Sequence, residues 1–464
     1  MANNIQWNLV KFTIGKGLEV SEMSGTAFPH FTKHDPKDSL TKIKSSSQDF
    51  VVVADIEVKS LTEYWRVLKN DAYLSIICNE KTLGSVNSLI KQLKRYDIQV
   101  NKSIDDMTLI VIKKIDFVVK VHKFERPKLI KTAMVVRFGA FGDLMQTSSV
   151  CAGLKQQGYN VALISQAPGN VVVTNDPNVD ELIVLERDQV PNAALGQYFE
   201  FLETQYDKVV NLCESVEGTF LAMKGRPAFK WTQEARHSVM NKNYVEFMHA
   251  LAGIPYELQV KFYPTLEEKK WAKSTRAKLG EVVVMWSLAG SSVHKSNAQL
   301  DDVIKKLLST YSNVNVVLVG GPECEMLEVG WENDKRVTCT SGKWSIRQTL
   351  SMIEHMDLII GPETGVLNAA CCLKVPKIVF LSHSSVENLT RDWTNTTSLF
   401  TKTEDLPCSP CHRLHFGWDD CHQDPITGTA LCQSMMKIDD TLTEIYKYLD
   451  PIAKRKTFSI KEIK

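Results

Sequence analysis

The sequence predicts an α/β protein of strand–turn–helix units, with two domains facing one another across a cleft. Two turns carry this expectation. Arg137-Phe-Gly-Ala-Phe-Gly-Asp143 follows one apolar strand and Gly361-Pro-Glu-Thr-Gly365 follows another. Each stands where a strand ends and a helix begins, the place where free backbone N–H groups and the helix dipole favour an anionic ligand. Around them apolar strands alternate with helical patterns, which implies mostly parallel sheets with ligands at the carboxyl ends of the strands.

Length and composition agree. The chain of 464 residues, 44% hydrophobic and 23% charged, can bury at least two cores and lacks the composition of a disordered chain. A net charge of +1 gives no overall drive toward nucleic acid or membrane, so either partner needs a local patch. Lys120, Lys123, Arg126, Lys128 and Lys131 supply one, in a segment (119–131) that reads equally well as a solvated basic linker. The N-terminus lacks a secretory pattern and no apolar run approaches a membrane span, so a cytoplasmic protein without a transmembrane segment is expected. Cys78, Cys151, Cys213, Cys324, Cys339, Cys371 and Cys372 lie scattered in apolar or element-like segments, as buried reduced thiols do.

Residues 1–118 read as a small α/β domain. Gly15-Lys-Gly-Leu-Glu-Val20, Ala27-Phe-Pro29, the strand Asp49-Phe-Val-Val-Val-Ala54 and Glu63-Tyr-Trp-Arg-Val-Leu-Lys-Asn-Asp-Ala-Tyr-Leu74 together resemble a shortened class I methyltransferase. In that family a Gly-rich turn cradles S-adenosylmethionine, and Pro-Gly-Gly follows Arg-Val-Leu-Lys. Here the turn reads Ser21-Glu-Met-Ser-Gly25 and the later site Asn70-Asp71-Ala72. The close-approach glycines are largely gone, so no S-adenosylmethionine binding is expected.

Residues 132–265 follow as a first main domain. Ala133 to Phe138 reads as a buried strand, Leu144 to Gln157 as a helix closed by Gly158, and Asn160 to Ser165 as the next strand, which makes a βαβ unit. Tyr206 to Leu212 adds a strand, and Asn243 onward a helix stopped by Gly253 and Pro255. Residues 266–464 repeat the scheme. Strands are expected at Val282–Ser287, Asn315–Val319, Asp357–Ile360 and Pro376–Leu381, with helices at Asn297–Tyr311, Trp344–His355 and Thr364–Leu373.

Taken in order, Val136 to Asp143, Ser287-Leu-Ala-Gly-Ser-Ser-Val-His-Lys295, Val319-Gly-Gly-Pro322, Gly361 to Ala370 and a cysteine-rich tail resemble the heptosyltransferase-like family 9 glycosyltransferases over residues 132–450. The resemblance implies a GT-B fold of two facing Rossmann-like domains. It also implies inverting transfer of a sugar from a nucleotide diphosphate sugar, ADP-heptose or similar, to a hydroxyl acceptor.

Asp143, a carboxylate in the first turn of a helix beside Gly139 and Gly142, either complements the helix dipole or takes a proton from an attacking hydroxyl; the resemblance makes it the general base. Lys295, in a Ser/Gly-rich loop with Ser291 and Ser292, is either a surface lysine or the cation that neutralises a departing diphosphate, and the resemblance favours the second. Gly320 and Gly321 belong to a matching donor-side turn. Glu363, Thr364 and Gly365 match the family's Asp-Thr-Gly, while Asn368 stands where a His is common.

Cys408-Ser-Pro-Cys411, Cys421 and Cys432 form a possible S4 set for a structural zinc or iron ion, with His412, His415 and His422 in reserve. The acceptor is open at this level: a glycan or lipopolysaccharide is favoured, against a hydroxymethylated DNA base or a protein Ser/Thr. A non-catalytic binding or scaffold protein that keeps the GT-B shell is the rival from another class.

Overall fold

The computed structural model describes residues 7–21, 31–35, 40, 43–54, 61–93, 96–104, 106–114 and 131–456. Of the sequence expectations, the turn at 22–25, the segment Ala27–Pro29 and the basic run up to Lys128 lie outside these residues. The chain forms two compact units. One comprises Met1–Met134, Ala162–Ala167 and Glu181–Val209; the other comprises Val135–Val161, Pro168–Asp180 and Val210–Lys464.

The first unit contains a six-stranded sheet of β1 (Gly17–Ser21), β2 (Phe31–His34), β3 (Gln48–Ala54), β4 (Leu68–Asn79), β5 (Tyr96–Ile104) and β6 (Met107–Lys114), in the order β2-β1-β3-β4-β6-β5. The first four strands are mutually parallel, and β6 runs antiparallel to both β4 and β5. The run Phe-Val-Val-Val-Ala in β3 is buried throughout, the mark of a strand covered on both faces. Asp71 adopts a φ of 60°, a conformation that glycine takes without steric cost. Its side chain pairs with Lys113 at 3.0 Å.

A second sheet has the order β10-β7-β8-β9, with β7 at Thr132–Val136, β8 at Asn160–Gln166, β9 at Glu181–Leu185 and β10 at Lys208–Asn211; the division between the units runs through its strands. The expected βαβ pattern is present, with the helix Phe141–Gln156 between β7 and β8.

The second unit is built on a fully parallel sheet of order β14-β13-β12-β15-β16-β17. A short pair, β11 (Ala222–Met223) with β18 (Arg413–Leu414), stands apart. The central strands are β12 (Val282–Ser287), β13 (Val314–Val319), β15 (Leu358–Pro362) and β16 (Lys377–Phe380); β14 (Val337–Cys339) and β17 (Thr396–Leu399) form the edges. The helix Leu300–Thr310 buries Leu300, Val303, Ile304, Leu307 and Leu308, a stripe of helical period laid on this sheet. The expected helix at 344–355 splits into an α-helix Ile346–Met352 and a 3-10 turn Ile353–His355. Its start is fixed by Ser345, whose Oγ accepts from Gln348 N at 3.2 Å.

The C-terminal helix Ile438–Leu449 buries Leu442, Ile445 and Leu449 in the same core as Trp286 and Phe380. Among the described residues no helix is long and apolar enough to cross a membrane. Ile445 is fully buried, so Ile445→Ala removes apolar contacts from a packed core. It is expected to lower stability by about 2–5 kcal/mol, read as an earlier urea midpoint in tryptophan fluorescence.

Candidate active site

Asp143 is held from two sides. Gly139 has a φ of 155°, and a Cβ there would lie 2.6 Å from Asp143 Oδ2, so the missing side chain leaves room for the carboxylate to fold back. Asp143 Oδ2 accepts from Ala140 N at 2.8 Å, closing the helix N-terminus. Asp143 Oδ1 accepts from Arg137 Nη2 at 2.6 Å. Arg137 is buried, and its Nη1 and Nη2 also donate to the two Glu217 carboxylate oxygens at 3.0 and 2.8 Å. Burial opposes the charge on Arg137, but the Asp143 and Glu217 carboxylates outweigh it and raise the guanidinium pKa. Arg137 thus fixes two carboxylates, each still partly open to solvent.

Lys295 lies in the loop after β12. Gly290 N donates to Lys295 O at 3.1 Å and Lys295 N to Ser292 O at 3.0 Å, which bends the loop tightly. Its alkyl chain covers Gly290, where a Cβ would meet Lys295 Cδ at 2.6 Å. Burial lowers the Lys295 pKa, and Glu363 and Asp143 act against that loss of charge. Its Nζ makes no hydrogen bond or ion pair with the described residues, so a half-buried cation facing the cleft is left to be matched by a ligand.

Glu363, at the turn after β15, is directed inward. Its Oε1 accepts from Ser382 N at 3.0 Å, Ser382 Oγ at 2.5 Å, His383 N at 3.0 Å and His383 Nδ1 at 2.8 Å. Burial would raise its pKa, yet His383, Lys295 and Ser382 hold it well below the usual carboxylate range. The carboxylate therefore fixes the 361–365 turn. Thr364 Oγ1 lies 3.1 Å from Ser287 Oγ and ties the turn to β12. The following helix, Gly365–Ala370, spans only 6 residues, so its dipole is small and the case for an anion rests on Lys295.

One cleft of about 650 Å³ is lined by Gly142, Asp143, Ser291, Lys295, Gly320, Gly321, Glu363, Thr364, Gly365 and Asn368. Gly139 shapes the Asp143 corner without lining the cleft, and Ser292 turns aside, its Oγ 3.2 Å from His294 Nε2. Asn368 leans on the opposite turn: a Cβ on Gly142 would come within 2.6 Å of its Nδ2. Sequence reasoning missed Glu217 and the wall of Pro322, Trp344 and Ile346. Arg137, quoted in the motif, had a readable signal in a charge ending an apolar strand; Glu217 had none.

Cys408, Cys411, Cys421 and Cys432, all reduced, line one cavity of about 90 Å³ together with His294, His415 and His422. Burial and neighbouring thiols push Cys411 up to about 12, and burial with Cys408 pushes Cys421 up to about 11. Four thiols are the donor set of zinc or iron, and these four line one cavity, although no three of their sulfurs lie within 4.8 Å of one another. His412 faces elsewhere, with Nδ1 3.3 Å from Asn388 Nδ2.

The two turns meet at Gly365, where a Cβ would lie 3.0 Å from Phe141 Cβ and 3.2 Å from Gly142 N. Gly365→Ala is expected to cost about 1–3 kcal/mol through overpacking. Gly417→Ala, which meets nothing within 4 Å, should leave the thermal midpoint unchanged.

No protein-family model and no curated protein sequence matches the chain. Among solved structures it is similar to a glycosyl transferase of family 9 from Veillonella parvula, at 15% identity and a TM-score of 0.45 over 59% of this chain and 88% of that one. It is also similar to the E. coli ADP-heptose lipopolysaccharide heptosyltransferase II (15% identity, TM-score 0.44, 61% of this chain and 96% of that one). A third is the iron-containing dodecameric glycosyltransferase TibC from enterotoxigenic E. coli (12% identity, TM-score 0.43, 68% and 77%). The chain itself is a mixed α/β protein with several parallel sheets.

Proposed function

We propose that the chain is an inverting glycosyltransferase that uses a nucleotide diphosphate sugar. The observation that carries this reading is the cleft that holds Asp143 and Lys295 together, a carboxylate with open lone pairs and a half-buried cation with no hydrogen bond or ion pair. The donor diphosphate lies along Lys295, Ser291 and the glycine turns at 320–321 and 361–365. Trp344, Ile346 and Pro322 give the nucleobase an apolar wall, and Trp344 is braced edge-on by Trp271 at 5.2 Å. Asp143 takes the proton of the acceptor hydroxyl as its oxygen attacks the anomeric carbon. The bond from that carbon to the diphosphate oxygen breaks on the opposite face, and Lys295 balances the charge that leaves.

ADP-heptose is the donor the sequence resemblance implies, and a saccharide, in a glycan or lipopolysaccharide, is the acceptor we favour. Cys408, Cys411, Cys421 and Cys432 hold a structural zinc or iron ion that orders the tail. Residues 1–118 serve acceptor or partner recruitment without S-adenosylmethionine, and the protein works in the cytoplasm.

Transfer and hydrolysis assays with a panel of nucleotide sugars, offered glycan, protein and hydroxymethylated-DNA acceptors, test the reading. Asp143→Asn is expected to keep donor affinity and to lower turnover by roughly 10²-fold or more. Lys295→Ala should weaken both donor affinity and turnover. Near-normal turnover in Asp143→Asn would remove Asp143 from the mechanism, and an unchanged affinity for nucleoside diphosphate in Lys295→Ala would remove Lys295.

A further inference from the structure

Behind the cleft, three side chains from three different loops converge. His294 precedes Lys295 in the loop after β12, Glu363 sits in the turn after β15, and His383 follows β16. Among the described residues this is the one set of three potential ligands whose donor atoms all lie within 4.8 Å of one another. All three residues are at most 3% exposed.

The hydrogen bonds do not close. His383 Nδ1 lies 2.8 Å from Glu363 Oε1 and 3.1 Å from His294 Nε2. A ring nitrogen has one in-plane direction and either donates once or accepts once. If His383 Nδ1 gives its proton to Glu363, His294 Nε2 is left to pair with Ser292 Oγ at 3.2 Å; if it accepts from His294, it faces the carboxylate lone pair to lone pair. His294 Nδ1 and Glu363 Oε2 are also buried with no hydrogen-bond partner. Lys295 acts on Glu363 through its charge but makes no hydrogen bond to it, so those lone pairs stay open. Unpaired polar atoms this deep are costly unless something in the site satisfies them.

We propose that His294, Glu363 and His383 bind a divalent transition-metal ion of the zinc or iron class, held by these three residues and not by the four cysteines, whose cavity His294 also lines. An ion takes a lone pair from each residue at once, and it would give the buried Glu363 carboxylate a partner beyond those its Oε1 already has. Two imidazoles and a carboxylate form a donor set suited to these metals. Ligand atoms around a tetrahedral ion with bonds of about 2.0 Å are about 3.3 Å apart, near the 2.8 and 3.1 Å separations present before any ion draws them into place. Ser292, with Oγ 3.2 Å from His294 Nε2, is the nearest further oxygen. The ion would staple the Lys295 loop, the 361–365 turn and the end of β16, the three segments that form one wall of the cleft.

The test uses the full chain and measures metal content by mass spectrometry, with Co2+ as a spectroscopic probe. Wild type is expected to carry two equivalents, and His383→Gln to lose one. The Cys408→Ser/Cys411→Ser variant should keep one equivalent, and its Co2+ form should show ligand-field bands without intense thiolate-to-cobalt charge transfer. Adding His383→Gln to that variant should abolish those bands. If His383→Gln in the otherwise wild-type chain leaves metal content and the Co2+ spectrum unchanged, the proposal fails, whether or not the cysteine variant folds. A folded cysteine variant that holds no metal also overturns it. Full metal content in the cysteine variant would instead contradict the cysteine site and, if His383→Gln still loses an equivalent, support this one.

Discussion

Gly142 and Gly365 allow two helix N-termini to meet backbone to backbone, with no room between them for a side chain on Gly365, and the cleft depends on that contact. One turn brings Asp143, fixed by Arg137 and by the amide of Ala140; the other brings Glu363 and Thr364, fixed by Ser382, His383 and Ser287. Neither turn alone makes a reaction site. Their apposition sets a carboxylate and a half-buried ammonium around one space of about 650 Å³.

The cysteine-rich tail acts on the same wall from behind. Val293 N donates to His415 O at 3.2 Å, His412 N to His383 O at 2.9 Å, and Ala222 N to His412 O at 2.7 Å. Three short backbone bonds therefore tie the tail to the loop of Lys295, to the end of β16 and to the strand after Glu217. A metal in the tail would set the position of Lys295 without touching substrate, the usual work of a structural ion.

The sheet strands were legible because parallel strands covered on both faces are continuous apolar runs. Val282–Ser287 and Asp49–Ala54 could hardly be read otherwise. Helix ends were less so: the helix expected from Asn297 begins at Leu300, and the one expected to reach Leu373 ends at Ala370, since local hydrogen bonding decides ends that periodicity does not. The site was legible where glycine spacing announced a turn, as at Gly142, Asp143 and Gly365. It was not legible at Glu217, His294 or His383, whose roles come from partners 80 to 89 positions away in the chain. Ser292 shows the limit in the other direction, a residue chosen by adjacency that turns to a histidine instead of the cleft.

Hydrogen exchange with and without a nucleoside diphosphate reports whether the two glycine turns and Lys295 hold a nucleotide diphosphate between them. Slowed amide exchange is expected in peptides covering 139–144, 288–296 and 361–368 together, at nucleotide levels that saturate wild type, with loss of that protection in Lys295→Ala. Protection confined to another part of the chain, or none at saturating nucleotide, would contradict it.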